Sequence, residues 1–128
     1  MANILIVDDE KTVLIAFQEE LERLGHKADI AENGLVALEL IKNYSYDIVF
    51  TDLIMPGMNG VELCKEIKKI SPESVVVLIS GYAKKVLKYK LDFILAGGYD
   101  EFLMKPLSED ELTKKVEKIL TIKQNKVL

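Results

Sequence analysis

The sequence predicts an α/β domain, a doubly wound sheet of five parallel strands in the order 2-1-3-4-5 with five helices over its two faces. Three observations carry that prediction. Short apolar runs recur along the chain as Ile4-Leu5-Ile6-Val7, Ile48-Val49-Phe50-Thr51, Val75-Val76-Val77-Leu78-Ile79 and Phe102-Leu103-Met104. Strands buried on both faces read this way. Between the runs lie stretches whose apolar residues recur at helical spacing. Such alternation of strand and helix is the pattern of parallel crossover units.

Taken in order, the first strand spans about Asn3 to Val7 and leads into a helix with Leu14, Phe17, Leu21 and Leu24 on one face, ended by Gly25. Lys27 to Ala31 alternates polar and apolar, as a half-exposed edge strand does. Asn33-Gly34 turns the chain into a second helix carrying Leu35, Leu38 and Ile41. The third strand ends near Asp52, and Met55-Pro56-Gly57-Met58-Asn59-Gly60 interrupts regular structure. A third helix points Val61, Cys64 and Ile67 inward and closes at Ser71-Pro72. The fourth strand is Val75 to Ile79 and the fifth about Glu101 to Met104. The last helix opens with a capping box from Ser108 to Glu111 and packs through Leu112, Val116, Ile119 and Leu120.

At 128 residues this is one domain, assigned to 1–122, with 123–128 as a helix end or the start of a linker. The net charge of −4 argues against a general nucleic-acid binder. No apolar stretch approaches a membrane span, and the amino terminus lacks a signal-peptide pattern. A lone cysteine, Cys64, fits a reducing cytoplasm. Arg23 is the only arginine, a bias of genomic composition or of heat adaptation.

Chemistry gathers at one end of the sheet. Asp8 and Asp9 end the first strand, Asp52 the third, Ser80 the fourth and Lys105 the fifth. Ligands bind beyond the carboxyl ends of such strands, at the point where strand order reverses. Three carboxylates brought together there either raise a pKa or admit a cation. An all-oxygen site suits Mg²⁺, with Mn²⁺ as a substitute. With no second histidine and no cysteine pair, the sequence argues against a zinc site. Lys105 and Ser80 could then hold a phosphoryl group while one carboxylate acts as nucleophile.

With these residues in hand the chain resembles the receiver domains of bacterial two-component response regulators, which are flavodoxin-like in fold. The matching segments are Ile4-Leu5-Ile6-Val7-Asp8-Asp9-Glu10, Thr51 through Gly60, Ser80-Gly81-Tyr82-Ala83 and Phe102-Leu103-Met104-Lys105-Pro106. The resemblance implies that Asp52 accepts a phosphoryl group from a histidine kinase or histidine phosphotransfer protein. It implies Mg²⁺ on Asp9, Asp52 and the backbone carbonyl of Ile54, with Asp8 acting through water. Ser80 becomes the hydroxyl that moves onto the phosphoryl group, Lys105 its counter-ion, and Lys105–Pro106 a cis peptide. Phe102 turns inward in the space Ser80 vacates, and the surface of helix four, strand five and helix five changes for protein partners. Such a protein is a switch more than an enzyme. Ile54 and Tyr82 flank the path of attacking water without an acid or amide to orient it, so slow self-dephosphorylation is expected. Phenylalanine lacks the hydroxyl that resists burial, so Phe102 is expected inward-biased even without phosphate.

Helix four departs from the family, since Lys105 follows Ser80 by 25 positions. Its inward stripe is read as Leu87, Leu91 and Ile94, leaving Val86, Tyr89 and Phe93 outside beside Lys85 and Lys90 as a partner surface. His26 and Cys64 are read as structural, and Lys114, Lys115 and Lys118 as a solvated face. A flavin carrier is disfavoured because no phosphate loop follows strand one, and an aspartyl phosphatase because Ile54 stands where its second acid belongs. The alternative kept is a degenerate receiver serving as a phosphorylation-independent scaffold. The oligomeric state is left open.

Overall fold

The computed structural model describes residues 1–108 and 110–125. Its elements are β1 (Asn3–Val7), α1 (Lys11–Arg23), β2 (Lys27–Ala31), α2 (Gly34–Asn43), β3 (Ile48–Asp52), α3 (Gly60–Ile70), β4 (Val75–Ser80), α4 (Ala83–Leu95), β5 (Leu103–Met104) and α5 (Glu111–Asn125). The five parallel strands lie in the order β2-β1-β3-β4-β5, as the sequence predicts. No helix among the described residues is long and apolar enough to cross a membrane. The final residues 126–128 of the expected helix end or linker lie outside the described residues.

Successive side chains of a strand point to opposite faces, so the apolar runs divide between two core layers. Ile4, Ile6, Ile48, Phe50, Val77, Ile79 and Leu103 pack under α1 and α5 with Leu14, Leu21, Leu112, Val116 and Ile119. Leu5, Val7, Val49, Val76 and Leu78 pack on the other face with Ala37, Ile41, Leu63, Cys64, Ile67, Val86 and Phe93. The continuous hydrophobicity of β1, β3 and β4 thus reflects burial on both sides.

Local chemistry sets the helix ends. Asn59 and Glu62 form a reciprocal capping box at the start of α3, where the sequence reading saw only a broken loop. At α5 the expected box is one-sided, because the Ser108 amide and hydroxyl both donate to Glu111 Oε1. Gly25 takes φ 90° just past α1, a conformation that other residues adopt at a cost. Leu35 is exposed rather than inward; α2 begins at Gly34, and Ala37 and Ile41 are the residues that fill its core face. Leu24 is exposed as well, because α1 has ended before it. The ordered ladder of β5 holds only Leu103 and Met104, shorter than expected.

On α4 the sequence reading is reversed at Val86, Phe93, Leu87 and Leu91, while Ile94, the third residue of the expected inward stripe, is half-buried. Val86 and Phe93 are buried and Tyr89 is half-buried, whereas Leu87, Leu91 and Leu95 face water at 74%, 65% and 75% exposure. Both stripes repeat at helical spacing, so periodicity alone does not choose between them. Packing volume chooses: Gly98 has no side chain, and a Cβ there would come within 2.2 Å of the Phe93 ring. The chain folds back over that ring, so a side chain at Gly98 would collide with it. Lys115 and Lys118 are not simply solvated either, since both ammonium groups bind Glu101 at the entry to β5.

Candidate functional site

Parallel pairing brings the carboxyl ends of β1, β3 and β4 level: Val7 pairs with Thr51, and Asp52 with Ile79. Ser80 pairs with Met104, so the next residue, Lys105, emerges beside the acids. One oxygen from each of Asp8, Asp9 and Asp52 lies within 4.8 Å of the others. Asp8 and Asp52 are buried and Asp9 is exposed, giving a site closed below and open at its mouth.

Each buried carboxylate has one oxygen held by backbone. Asp8 Oδ1 accepts from the Glu10 amide at 2.9 Å, and Asp52 Oδ1 from the Leu53 amide at 2.8 Å. Their second oxygens receive the Lys105 ammonium, at 2.5 Å from Asp8 and 3.3 Å from Asp52. Burial pushes the Asp52 pKa up and Asp8 adds repulsion, while Lys105 and the Leu53 amide oppose the rise without cancelling it. Burial also works against the Lys105 charge, but its hydrogen bond to Asp8 and the nearby carboxylates leave its pKa above the usual value. Three carboxylates and one ammonium leave excess negative charge. The donor set is all oxygen, compact and open on the Asp9 side, which fits Mg²⁺.

The floor of the site is fixed by close approach. Gly60, first residue of α3, donates its amide to the Leu53 carbonyl at 2.9 Å. A Cβ at Gly60 would lie 2.5 Å from the Asp52 carbonyl oxygen, so only glycine lets α3 start there. On the other side Ser80 is fully buried, and its Oγ accepts from the Tyr82 amide at 3.2 Å. Lys105–Pro106 is cis. Ile54 and Tyr82 are exposed at 39% and 60%, bordering the site without entering the core.

The family model of the response regulator receiver domain matches residues 4–117. The chain belongs to that family. The receiver domain is 35% identical over 116 residues to the aerobic respiration control sensor protein ArcB of Escherichia coli (strain K12), covering 91% of this chain and 15% of that protein. It is 37% identical over 113 residues to the uncharacterized transcriptional regulatory protein YrkP of Bacillus subtilis (strain 168), covering 88% of this chain and 47% of that one. The chain therefore spans less than half the length of these curated relatives. Among solved structures, a CheY-like receiver domain protein from Methanospirillum hungatei JF-1 superposes with TM-score 0.91 at 28% identity, covering 98% of each chain. Response regulator protein TrrA from Thermotoga maritima, solved in complex with Mg²⁺-BeF, gives TM-score 0.80 at 37% identity over 93% of this chain and 99% of that one.

Sequence reasoning found Asp8, Asp9, Asp52, Ser80 and Lys105, and the receiver domain brings all five to one end of the sheet. Phe102 is neither exposed nor turned fully inward. It is half-buried against the layer containing Val86 and Phe93, with the Lys90 ammonium 5.3 Å from its ring centroid. The ring is thus less inward than expected from the sequence, and a cation lies over it. Two of the five residues expected to form a partner surface, Val86 and Phe93, belong to the core, while Lys85 and Lys90 are exposed. His26 is structural: its Nδ1 accepts from the Ala2 amide at 3.1 Å, and burial, followed by the nearby amino terminus, lowers its pKa. Cys64 is fully buried, and burial pushes its thiol up to about 11, so it is no nucleophile.

Proposed function

We propose that this receiver domain is a phosphorylation-dependent signalling switch in which Asp52 takes a phosphoryl group from a phosphohistidine on a partner protein. The observation that carries the reading is the Lys105 ammonium bridging Asp8 and Asp52, with Asp9 completing a compact carboxylate cluster. One Asp52 oxygen is held by the Leu53 amide, leaving Oδ2 to attack phosphorus. A P–O bond forms as the P–N bond to imidazole breaks, and the products are an acyl phosphate on Asp52 and free histidine. Lys105 exchanges its contact with Asp52 for one with a phosphoryl oxygen while keeping Asp8. Asp8, Asp9, Asp52 and the Ile54 carbonyl are the groups that would hold Mg²⁺, or Mn²⁺ in its place, and that ion would supply charge neutralisation for carboxylates and phosphoryl oxygens together. Water attack later cleaves the same P–O bond and returns the carboxylate; Ile54 and Tyr82 offer no side-chain acid or amide to orient that water.

The partners in this reading are a histidine kinase or phosphotransfer protein upstream and a protein target downstream. An apolar groove of about 510 Å³ lined by Thr12, Val13, Ala16, Phe17, Pro106 and Leu107 opens beside Lys105, and the donor protein seats there. Output runs through α4, β5 and α5. Ser80 leaves the Tyr82 amide for the phosphoryl group, Phe102 turns inward, and α4 shifts the exposed face bearing Leu87, Leu91 and Leu95. Phosphoryl binding favours one of two arrangements and so shifts their populations. A cytoplasmic location belongs to the same reading, because a phosphohistidine donor and a free thiol are both at home there.

The test is incubation with acetyl phosphate and Mg²⁺, read by intact mass, beside Asp52→Asn. A single phosphate adduct that needs the cation and is absent from the variant is the expected result. No adduct on wild-type protein, or an equal one on Asp52→Asn, overturns the assignment.

A further inference from the structure

Phe102 and Lys90 meet across the seam between β5 and α4. The ring is half-buried, with its inner side against the layer that contains Val86 and Phe93. The Lys90 Nζ stands 5.3 Å from the ring centroid, within the range where an ammonium is drawn to the electron-rich face. Lys90 itself is exposed, so its charge keeps its water while it holds the ring. The two partners therefore respond differently to an inward turn. The ring is apolar and gains by burial. The ammonium cannot follow, because no acid awaits it among the apolar residues packed there and an unpaired buried charge is costly. An inward turn of the ring would leave the ammonium behind and break the contact.

We propose that Lys90 is a positioning residue that latches Phe102 in its outer position and so sets how much of the protein is switched before phosphorylation. The inference rests on the inward turn of Phe102 described under Proposed function. It adds a residue outside the phosphorylation site, on the helix that presents Leu87 and Leu91 to solvent, and gives it a defined sign. Removing the cation favours the switched arrangement; a different cation preserves the latch. A ligand selective for the switched arrangement then binds more tightly to the unlatched protein, because a larger fraction is already competent.

Two substitutions separate the latch from general surface effects. Lys90→Met keeps the aliphatic stem and removes the charge, while Lys90→Arg keeps a cation that can lie over the ring. Two readouts apply to each variant. One is the NMR shift of the Phe102 ring protons without activator; the other is apparent affinity for beryllofluoride at saturating Mg²⁺. An exposed cation–π contact corresponds to a change of about two- to five-fold in the equilibrium. Lys90→Met is expected to move the ring resonances toward their activated positions and to bind beryllofluoride about two- to five-fold more tightly, with Lys90→Arg close to wild type. Ring shifts unchanged in Lys90→Met, or changed equally in both variants, overturn the latch. Failure of wild-type protein to take up beryllofluoride overturns the phosphorylation reading instead, and the activator-free ring shifts still decide the latch on their own.

Discussion

Asp52→Asn removes one of three clustered carboxylates while preserving side-chain shape, and the expected result is a more stable protein in the absence of divalent cation. Two unit charges 4.8 Å apart repel by about 3.5 kcal/mol at an effective dielectric of about 20, which sets the scale for Asp52 against Asp8. Asp9 is exposed and adds on the order of 1 kcal/mol. Lys105, 3.3 Å from Asp52, returns about 5 kcal/mol at the same dielectric, so the Coulombic contributions nearly cancel. What remains is the desolvation of a carboxylate that is 5% exposed, a penalty of several kcal/mol that the Leu53 amide offsets only in part. Asparagine avoids most of it, keeps an oxygen for Leu53, and leaves Lys105 paired with Asp8. The net gain expected is about 1–3 kcal/mol, or roughly 3–10 °C in Tm for a domain of this size.

The pH dependence has a definite sign. Because burial raises the Asp52 pKa, the folded protein holds that proton to higher pH than the unfolded chain does. Wild-type stability therefore falls as pH rises from the ordinary carboxylate value through the raised one, and the deficit is complete above it. The advantage of asparagine should be small near pH 4 and grow as pH rises through the raised value. Mg²⁺ should then narrow the gap by stabilising wild type by about 1.4–2.7 kcal/mol at 10- to 100-fold excess over Kd, with less effect on the variant. Urea unfolding in EDTA and in Mg²⁺ at pH 4 and pH 7 measures this. A variant less stable than wild type in EDTA at pH 7, or a gain that does not shrink toward pH 4, would refute the electrostatic argument.

Three further outcomes are expected. Ile54→Asn should shorten the lifetime of phosphorylated protein several-fold, followed by loss of the phosphate adduct in intact mass; an unchanged half-life removes Ile54 from any role in water access. Gly98→Ala should cost about 3 kcal/mol, read from the urea midpoint, because its Cβ would sit 2.2 Å from a fully buried Phe93 ring. Leu91→Asp should change stability by no more than about 0.5 kcal/mol, whereas Phe93→Ala should cost about 3–5 kcal/mol. The reverse order would restore the leucine stripe to the core.

The sheet and the acid cluster were legible because both follow from short-range rules. An apolar run such as Val75 to Ile79 admits one reading when helices flank it, and a polar residue ending such a run lands at the carboxyl edge. The orientation of α4 was not legible, because Val86, Tyr89 and Phe93 repeat at helical spacing as well as Leu87, Leu91 and Ile94 do. The contact that accompanies this orientation lies five residues beyond Phe93, where Gly98 leaves room for the aromatic ring. Contacts between side chains far apart in sequence were equally hidden. Glu101 binds Lys115 and Lys118, and Lys90 caps Phe102, through distances set only by tertiary packing. The capping box of Asn59 and Glu62 was readable in principle, but Pro56 and Gly57 before it directed attention to the turn.

Gly60 gives the site a mechanical bias. With the first turn of α3 set close against the Asp52 carbonyl and the Gly60 amide bonded to Leu53, the loop after Asp52 has little room on that side. The opposite wall is held by a 3.2 Å contact at Ser80 and by a lysine resting on a ring. A load placed between a rigid abutment and a compliant one displaces the compliant one. If Asp52 is phosphorylated as proposed, crowding there would be relieved on the β4–α4–β5 side, a direction set by the absence of a single methyl group.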